Sequence, residues 1–155
     1  MEQVVVMGAG VGGLSAAIVL ARDGHEVTVV ERDPAPPPAD PHQAWAGWER
    51  PGVNQFRLAH FLLARWREKA EREMPDAIAA LEERGALRAN PIDLLPAGLT
   101  GGRRDGDDVF EVVTARRPII ESALAATAEA TPGVTVRRGV AVAGLLADEA
   151  PGVPH

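Results

Sequence analysis

The opening of this chain constrains it most. Residues 3 to 7, QVVVM, form a short apolar, β-branched run that leads straight into Gly8-Ala9-Gly10-Val11-Gly12-Gly13. A run of that kind, ended by glycine, reads as a strand buried on both faces. Leu14 to Arg22, LSAAIVLAR, is rich in helix formers and sets Leu14, Ile18 and Ala21 on one face. Asp23-Gly24 closes it, since glycine suits the left-handed position after a helix. His25 to Glu31, HEVTVVE, reads as a second strand with Val27, Val29 and Val30 buried. Strand, glycine turn, helix and strand within about 30 residues make one βαβ unit, which points to an α/β fold.

The glycines fit G-x-G-x-x-G where that pattern has physical meaning, directly after a strand and opening a helix. Gly8 permits the tight turn, Gly10 lets a pyrophosphate approach the backbone, and Gly13 lets the helix pack against the strand. Gly12 lies in the same turn. The phosphate charge would sit on free N–H groups at the positive end of the helix dipole. Glu31 ends the second strand at about the 20-residue separation the fingerprint requires, where a carboxylate can accept hydrogen bonds from ribose hydroxyls. Arg32, beside it, is placed in the same site. A glutamate there would repel a 2′-phosphate, which disfavours NADP and leaves NAD and FAD, both of which present the same ADP moiety.

Bulk properties narrow the function classes. A net charge of −6, from 22 acids against 16 bases, gives no broad attraction for nucleic acid or anionic lipid. No apolar run approaches the roughly 20 residues of a spanning helix, and the first residues lack the basic start of a signal peptide. A cytoplasmic protein with a small-molecule substrate, and no nucleic-acid or membrane partner, is expected. The absence of cysteine removes disulfides and thiolate chemistry. His25, His42, His60 and His155 have no metal-ligand spacing, so no metal is expected. Lys69 is the only lysine among the 16 bases, a bias that weakens single arginines as functional signals.

The remaining pattern is less regular. Asp33 to Pro51 reads as a proline-rich loop or mobile flap in which Trp45 and Trp48 serve as hydrophobic anchors. Phe56 to Glu73 reads as a helix with Phe56, Leu63, Ala70 and Met74 on one stripe and Ala59, Leu62 and Trp66 beside it. Pro75 restarts a helix to about Arg84, closed by Gly85. One strand is expected within Ala86 to Pro96, a turn over Gly98 to Asp108, and a strand over VFEVVT. A helix then follows from Arg117 to Ala130, with strands over Val134 to Arg138 and Val140 to Leu146, before APGVPH trails off.

Three segments resemble the group A flavoprotein monooxygenases and their epoxidase-like relatives: VVVMGAGVGGLSAAIVLARDGHEVTVVERDP, NQFRLAHFLLARWREKAEREMPDAIAALEERGA and TARRPIIESALAATAEATPGVTVRRGVAVAGLL. The resemblance implies FAD as cofactor, NAD(P)H as transient reductant, and hydroxylation or epoxidation of an organic substrate. It implies that Arg117, in the Arg-Pro pair opening a helix, lies along the FAD pyrophosphate and ribitol, where a guanidinium can pair with phosphate. Gln55, Arg57 and His60 fit the family's Q-x-R/H-x-x-H-x-L pattern, whereas Leu58 stands where relatives often carry another histidine.

The resemblance also implies later elements, a ribitol-binding Gly-Asp motif and a substrate-pocket sheet, that these residues do not supply. Gly106-Asp107 reads as a turn. The expected organisation is a Rossmann-like partial FAD-binding domain over 1–155, incomplete relative to the family. Its parts are a βαβ unit (1–32), a proline-rich loop (33–55), a helical excursion (56–85) and a strand-helix-strand remainder (86–155). No catalytic side chain is named, the chain is not expected to be active alone, and a complementing downstream fragment or a homo-oligomer is the expected partner. Two other readings stay open: an NAD-binding dehydrogenase fragment, and a non-catalytic nucleotide-binding module.

Overall fold

The computed structural model describes residues 1–145. β1 (Gln3–Met7), α1 (Val11–Arg22) and β2 (Glu26–Glu31) form the opening unit, with β1 and β2 parallel and Val4 opposite Val27, Val6 opposite Val29. The third parallel strand arrives only after a long excursion: α6 (Arg117–Ala130) crosses over and β6 (Val134–Arg138) pairs with the far side of β2, giving the order β1-β2-β6. This is half of a doubly wound sheet, whose ligands bind outside the carboxyl ends of the strands.

The sheet is covered on one face. Val27 and Val29 are buried, and with Leu14, Ile18, Ile120 and Leu124 they form the main core. Val30 is only half-buried and β1 is not buried on both faces: it is an edge strand, with Val5 66 % and Met7 59 % exposed. That second face is only partly covered among the described residues, with Val53, Val140 and Val142 lining a cavity against Met7 and Val30. α6 is the central helix, packed against α1, α2 (Pro41–Ala46) and α4 (Pro75–Glu83).

The excursion is more structured than its composition indicates. Instead of a mobile flap, 33–55 contains α2, where Asp40 accepts the Gln43 N–H at 2.8 Å and Pro41 occupies the first turn. Trp48 is buried edge-on against Phe56, ring centroids 5.1 Å apart, and Ala44 completes this satellite core. Arg57 donates to the carbonyls of Trp45 and Trp48 and fastens the segment from outside.

The expected helix over 56–73 is split. Gln55 takes a left-handed conformation, φ 61°, and the chain then runs as β3 (Ala59–Leu62) before α3 (Ala64–Glu73). β3 pairs antiparallel with β5 (Val112–Arg116), and β4 (Leu87–Ala89) pairs with the other edge of β5. Ladder bonds to a distant strand outweigh the helical preference of the local sequence, a common tertiary override. Leu63 and Ala59 are consequently exposed, whereas Leu62, Ala70 and Met74 are buried. α4 ends at Gly85, φ 89°, in the left-handed conformation that glycine adopts freely.

α5 (Ala97–Thr100) occupies part of the expected turn region. Val109 and Phe110 fall in a 3-10 turn, Asp107–Phe110, and are not part of the strand expected over VFEVVT. The strand expected over Val140 to Leu146 is absent across 140–145: Val140 donates one bond to the Glu31 carbonyl at 2.9 Å, and pairing stops. Leu146 and the trailing APGVPH lie outside the described residues.

Candidate dinucleotide site

The three glycines of the motif serve three different physical needs. Gly8 has φ 98°, a turn conformation L side chains rarely adopt. Gly13 needs space: a Cβ there would overlap the Gly8 carbonyl oxygen and come within 3.3 Å of Val6 Cγ1. Gly10 needs neither. Its backbone is ordinary and extended, φ −88°, and a Cβ built on it meets no protein atom within 4 Å. The missing side chain leaves open space at the start of α1, and no side chain caps that helix. Helix N-termini carry free N–H groups and partial positive charge, which suits an anion.

Gly8, Gly10, Glu31 and Arg32 line one cavity of about 320 Å³ at the carboxyl ends of β1 and β2, together with Arg50 and Val53. Gly12, Gly13 and Arg117 do not line it. Arg32 is exposed and its guanidinium lies against Gly52, where a Cβ would overlap it.

Glu31 is buried, 4 % exposed, and well supplied with donors. Its Oε2 accepts the Ala9 N–H at 2.7 Å and a bond from Arg50, and its Oε1 accepts the Asp33 N–H at 3.0 Å. Burial alone would push the carboxyl up. The N–H groups of Asp33 and Ala9 and the Arg50 charge outweigh it and hold Glu31 below its ordinary value. The carboxylate is therefore ionised at neutral pH. Its stabilisation is present above the unfolded-state value of about 4.5 and is lost as pH falls through the lowered folded value.

Two further residues, to which the sequence pattern drew no attention, complete a buried ion cluster. Arg50 donates to Asp33, Glu31, Glu121 and the Ala9 carbonyl, and Glu121, 0 % exposed on α6, also accepts from Arg117 Nε at 2.8 Å. Glu121 carried one legible signal, an acid four residues after Arg117 on a helix face otherwise made of Ile120 and Leu124. Arg50 carried none, being one arginine of many in a proline-rich segment.

Arg117 thus joins the cavity only through Glu121 and Arg50. Burial first, and the Arg117 charge second, hold the His60 imidazole below the ordinary 6.5 against the opposing charge of Glu121. An NMR titration should find His60 changing protonation below that value, and any stability it lends should be full above it and decline as pH falls. A midpoint at or above 6.5 would show that burial and Arg117 do not outweigh the Glu121 charge at the ring.

Comparison with known proteins places the chain in a family. Residues 3–150 match the family described as FAD dependent oxidoreductase. The chain belongs to that family. It is 51 % identical over 53 residues to kynurenine 3-monooxygenase of Salinispora arenicola, a match covering 34 % of the chain and 11 % of the relative. It is 56 % identical over 34 residues to D-amino acid dehydrogenase 2 of Ralstonia nicotianae, covering 22 % of the chain and 8 % of that protein. Among solved structures it is similar to PqsL, described as a probable FAD-dependent monooxygenase from Pseudomonas aeruginosa, with TM-score 0.63 and 15 % identity over 96 % of this chain and 36 % of PqsL. That likeness shows the α/β fold, and this member of the FAD dependent oxidoreductase family spans about a third of the structural neighbour's length. Among the described residues no helix is long and apolar enough to cross a membrane.

Proposed function

We propose that the cavity between the glycine turn and Glu31 holds the ADP half of FAD, in the N-terminal part of an NAD(P)H-dependent flavin monooxygenase acting on a small organic substrate in the cytoplasm. The observation that carries this reading is Gly10. Its backbone would accept any residue, no protein atom fills the space beside it, and unlike Gly12 it lies on the cavity next to Glu31, which leaves that space to a ligand. Glu31 and the start of α1 open on the same cavity and offer what ADP needs, an acceptor for ribose hydroxyls and a positive N-terminus for pyrophosphate. Arg32 adds a cation at the rim.

Bound flavin would supply the electron transfer and oxygen chemistry; the residues here bind and orient the adenosine end, far from any reacting atom. The monooxygenase reading rests on the resemblance and on similarity to kynurenine 3-monooxygenase and PqsL.

Gly10→Val tests the site without disturbing the fold. The variant is expected to melt close to the wild-type temperature and to lose ADP and FAD binding, read by calorimetry and by flavin absorbance after gel filtration. Wild-type affinity in the folded variant would move the phosphates elsewhere. Glu31→Gln should cost less, about 1–3 kcal/mol of binding, the range for hydrogen bonds to a charged group.

The uncovered faces make a second expectation. Val5 and Met7 on the open sheet face, and Leu63, Leu95 and Phe110 along a groove beside β5, leave apolar surface of the kind that drives association. The occupant we propose is further polypeptide of the same family, because PqsL extends well beyond the matched third. Sedimentation should show the 155-residue chain self-associating in its absence; a stable monomer that retains FAD would contradict this.

A further inference from the structure

The buried cluster does more than neutralise charge. Arg50 commits one N–H from Nε, two from Nη1 and one from Nη2 to Asp33, Ala9, Glu121 and Glu31. It lines the cavity, yet a guanidinium so engaged cannot grip a phosphate with its fork unless it abandons buried carboxylates. Its effect must pass through the groups it holds. One is the Ala9 carbonyl, between the two glycines that face the ligand. Another is Glu31, whose Oε2 is fully occupied by Ala9 and Arg50 and whose Oε1 keeps one acceptor direction beyond its bond from Asp33.

Glu121 closes the other end. Each of its oxygens is held by a different arginine, Oε2 by Arg50 and Oε1 by Arg117, and it lies outside the cavity lining. Within the buried cluster, Glu31, Asp33 and Glu121 against Arg50 and Arg117 leave one negative charge in excess, which faces Arg32 across the cavity lining.

We propose that Arg50 and Glu121 are positioning residues of the ADP site, fixing the orientation and charge of Glu31 and thereby setting both the affinity for an unphosphorylated ribose and the rejection of a 2′-phosphorylated one. This rests on the ADP reading of the cavity. Arg50→Lys keeps the charge but loses the fork that reaches four partners at once. Glu121→Gln keeps the shape and removes the excess negative charge.

The test is calorimetric titration of the full chain with ADP-ribose and with its 2′-phosphorylated counterpart across acid to neutral pH, with thermal melts to establish folding. Arg50→Lys is expected to bind ADP-ribose roughly tenfold more weakly, the scale of one charged hydrogen bond. Its affinity should fall off at a higher pH than that of the wild type, because burial then raises a Glu31 carboxyl that is less well held. Glu121→Gln is expected to narrow the discrimination against the 2′-phosphate several-fold, and it carries the test if Arg50→Lys does not fold. Folded variants with wild-type discrimination and an unmoved acid limb would overturn the inference, as would equal weakening toward both ligands. Wild-type protein that binds neither ligand would overturn the ADP reading and this inference with it, whereas wild-type binding with unaltered variants overturns the inference alone.

Discussion

Gly13→Ala should not accumulate as a folded protein, or should melt far below the wild type. The added methyl group would overlap the carbonyl oxygen of Gly8 and press on Val6 Cγ1 at 3.3 Å. The first of these is backbone, fixed by the turn that joins β1 to α1, and cannot rotate aside. Ordinary overpacking costs about 1–3 kcal/mol, and a clash with immovable backbone at the junction of β1 and α1 should cost about 3 kcal/mol or more. That is a large share of the roughly 5–15 kcal/mol that stabilises a domain. Gly12→Ala is the matched control. Its Cβ meets nothing within 4 Å, and alanine favours a helix over glycine by up to about 1 kcal/mol. Its melting temperature should be equal or higher. Gly13→Ala melting like Gly12→Ala would mean that helix and strand are further apart than described.

Arg50→Met should be nearly as damaging, for an electrostatic reason. The substitution preserves much of the side-chain volume but strips Glu31, Asp33 and Glu121 of their shared cation. Removing one partner of a buried ion pair costs about 3–5 kcal/mol, because the remaining charge stays desolvated. The pH dependence identifies the cause. In the variant, Glu31 stays buried but loses the Arg50 charge, so its carboxyl rises relative to the wild type and the native state gives up less stability at Glu31 as pH falls. The wild type gives up more at Glu31, whose lowered value makes it lose stability on acidification. The gap between the two proteins, read from denaturant melts, should therefore be widest near neutrality and shrink toward acid. A gap independent of pH would assign the loss to packing.

The parts of the fold that were legible in the sequence are those in which local pattern and tertiary role coincide. β1, β2, α6 and β6 lie where β-branched runs, the glycine turn and the Arg-Pro pair place them, because local propensity and tertiary role agree there. β3 was not legible. Ala59 to Leu62 became a strand through pairing with β5, some fifty residues away, and only the left-handed Gln55 breaks the helical pattern locally. The same holds for 33–55, whose order comes from Trp48 on Phe56 and from Arg57 on two carbonyls, contacts that composition does not encode. The burial of β1 was misjudged because an apolar strand is consistent with two covered faces, and the described residues fully cover only one. Within the site, Gly8, Gly10 and Glu31 were read from spacing because that spacing is itself the geometry of the turn, and Arg32 was placed there only as the neighbour of Glu31. Arg50 was not, and Glu121 offered only its spacing from Arg117, since their ion pair forms between segments 71 residues apart.

The central claim is that the space left by Gly10 is an ADP site. Calorimetric titration of ADP into the purified 155-residue chain tests it most directly, with FAD as competitor and Gly10→Val alongside. The account predicts one ADP bound per chain, displaced by FAD, and no heat of binding for a Gly10→Val protein that melts like the wild type. A folded wild-type chain that takes up neither ADP nor FAD, or a Gly10→Val variant that binds as the wild type does, would contradict it.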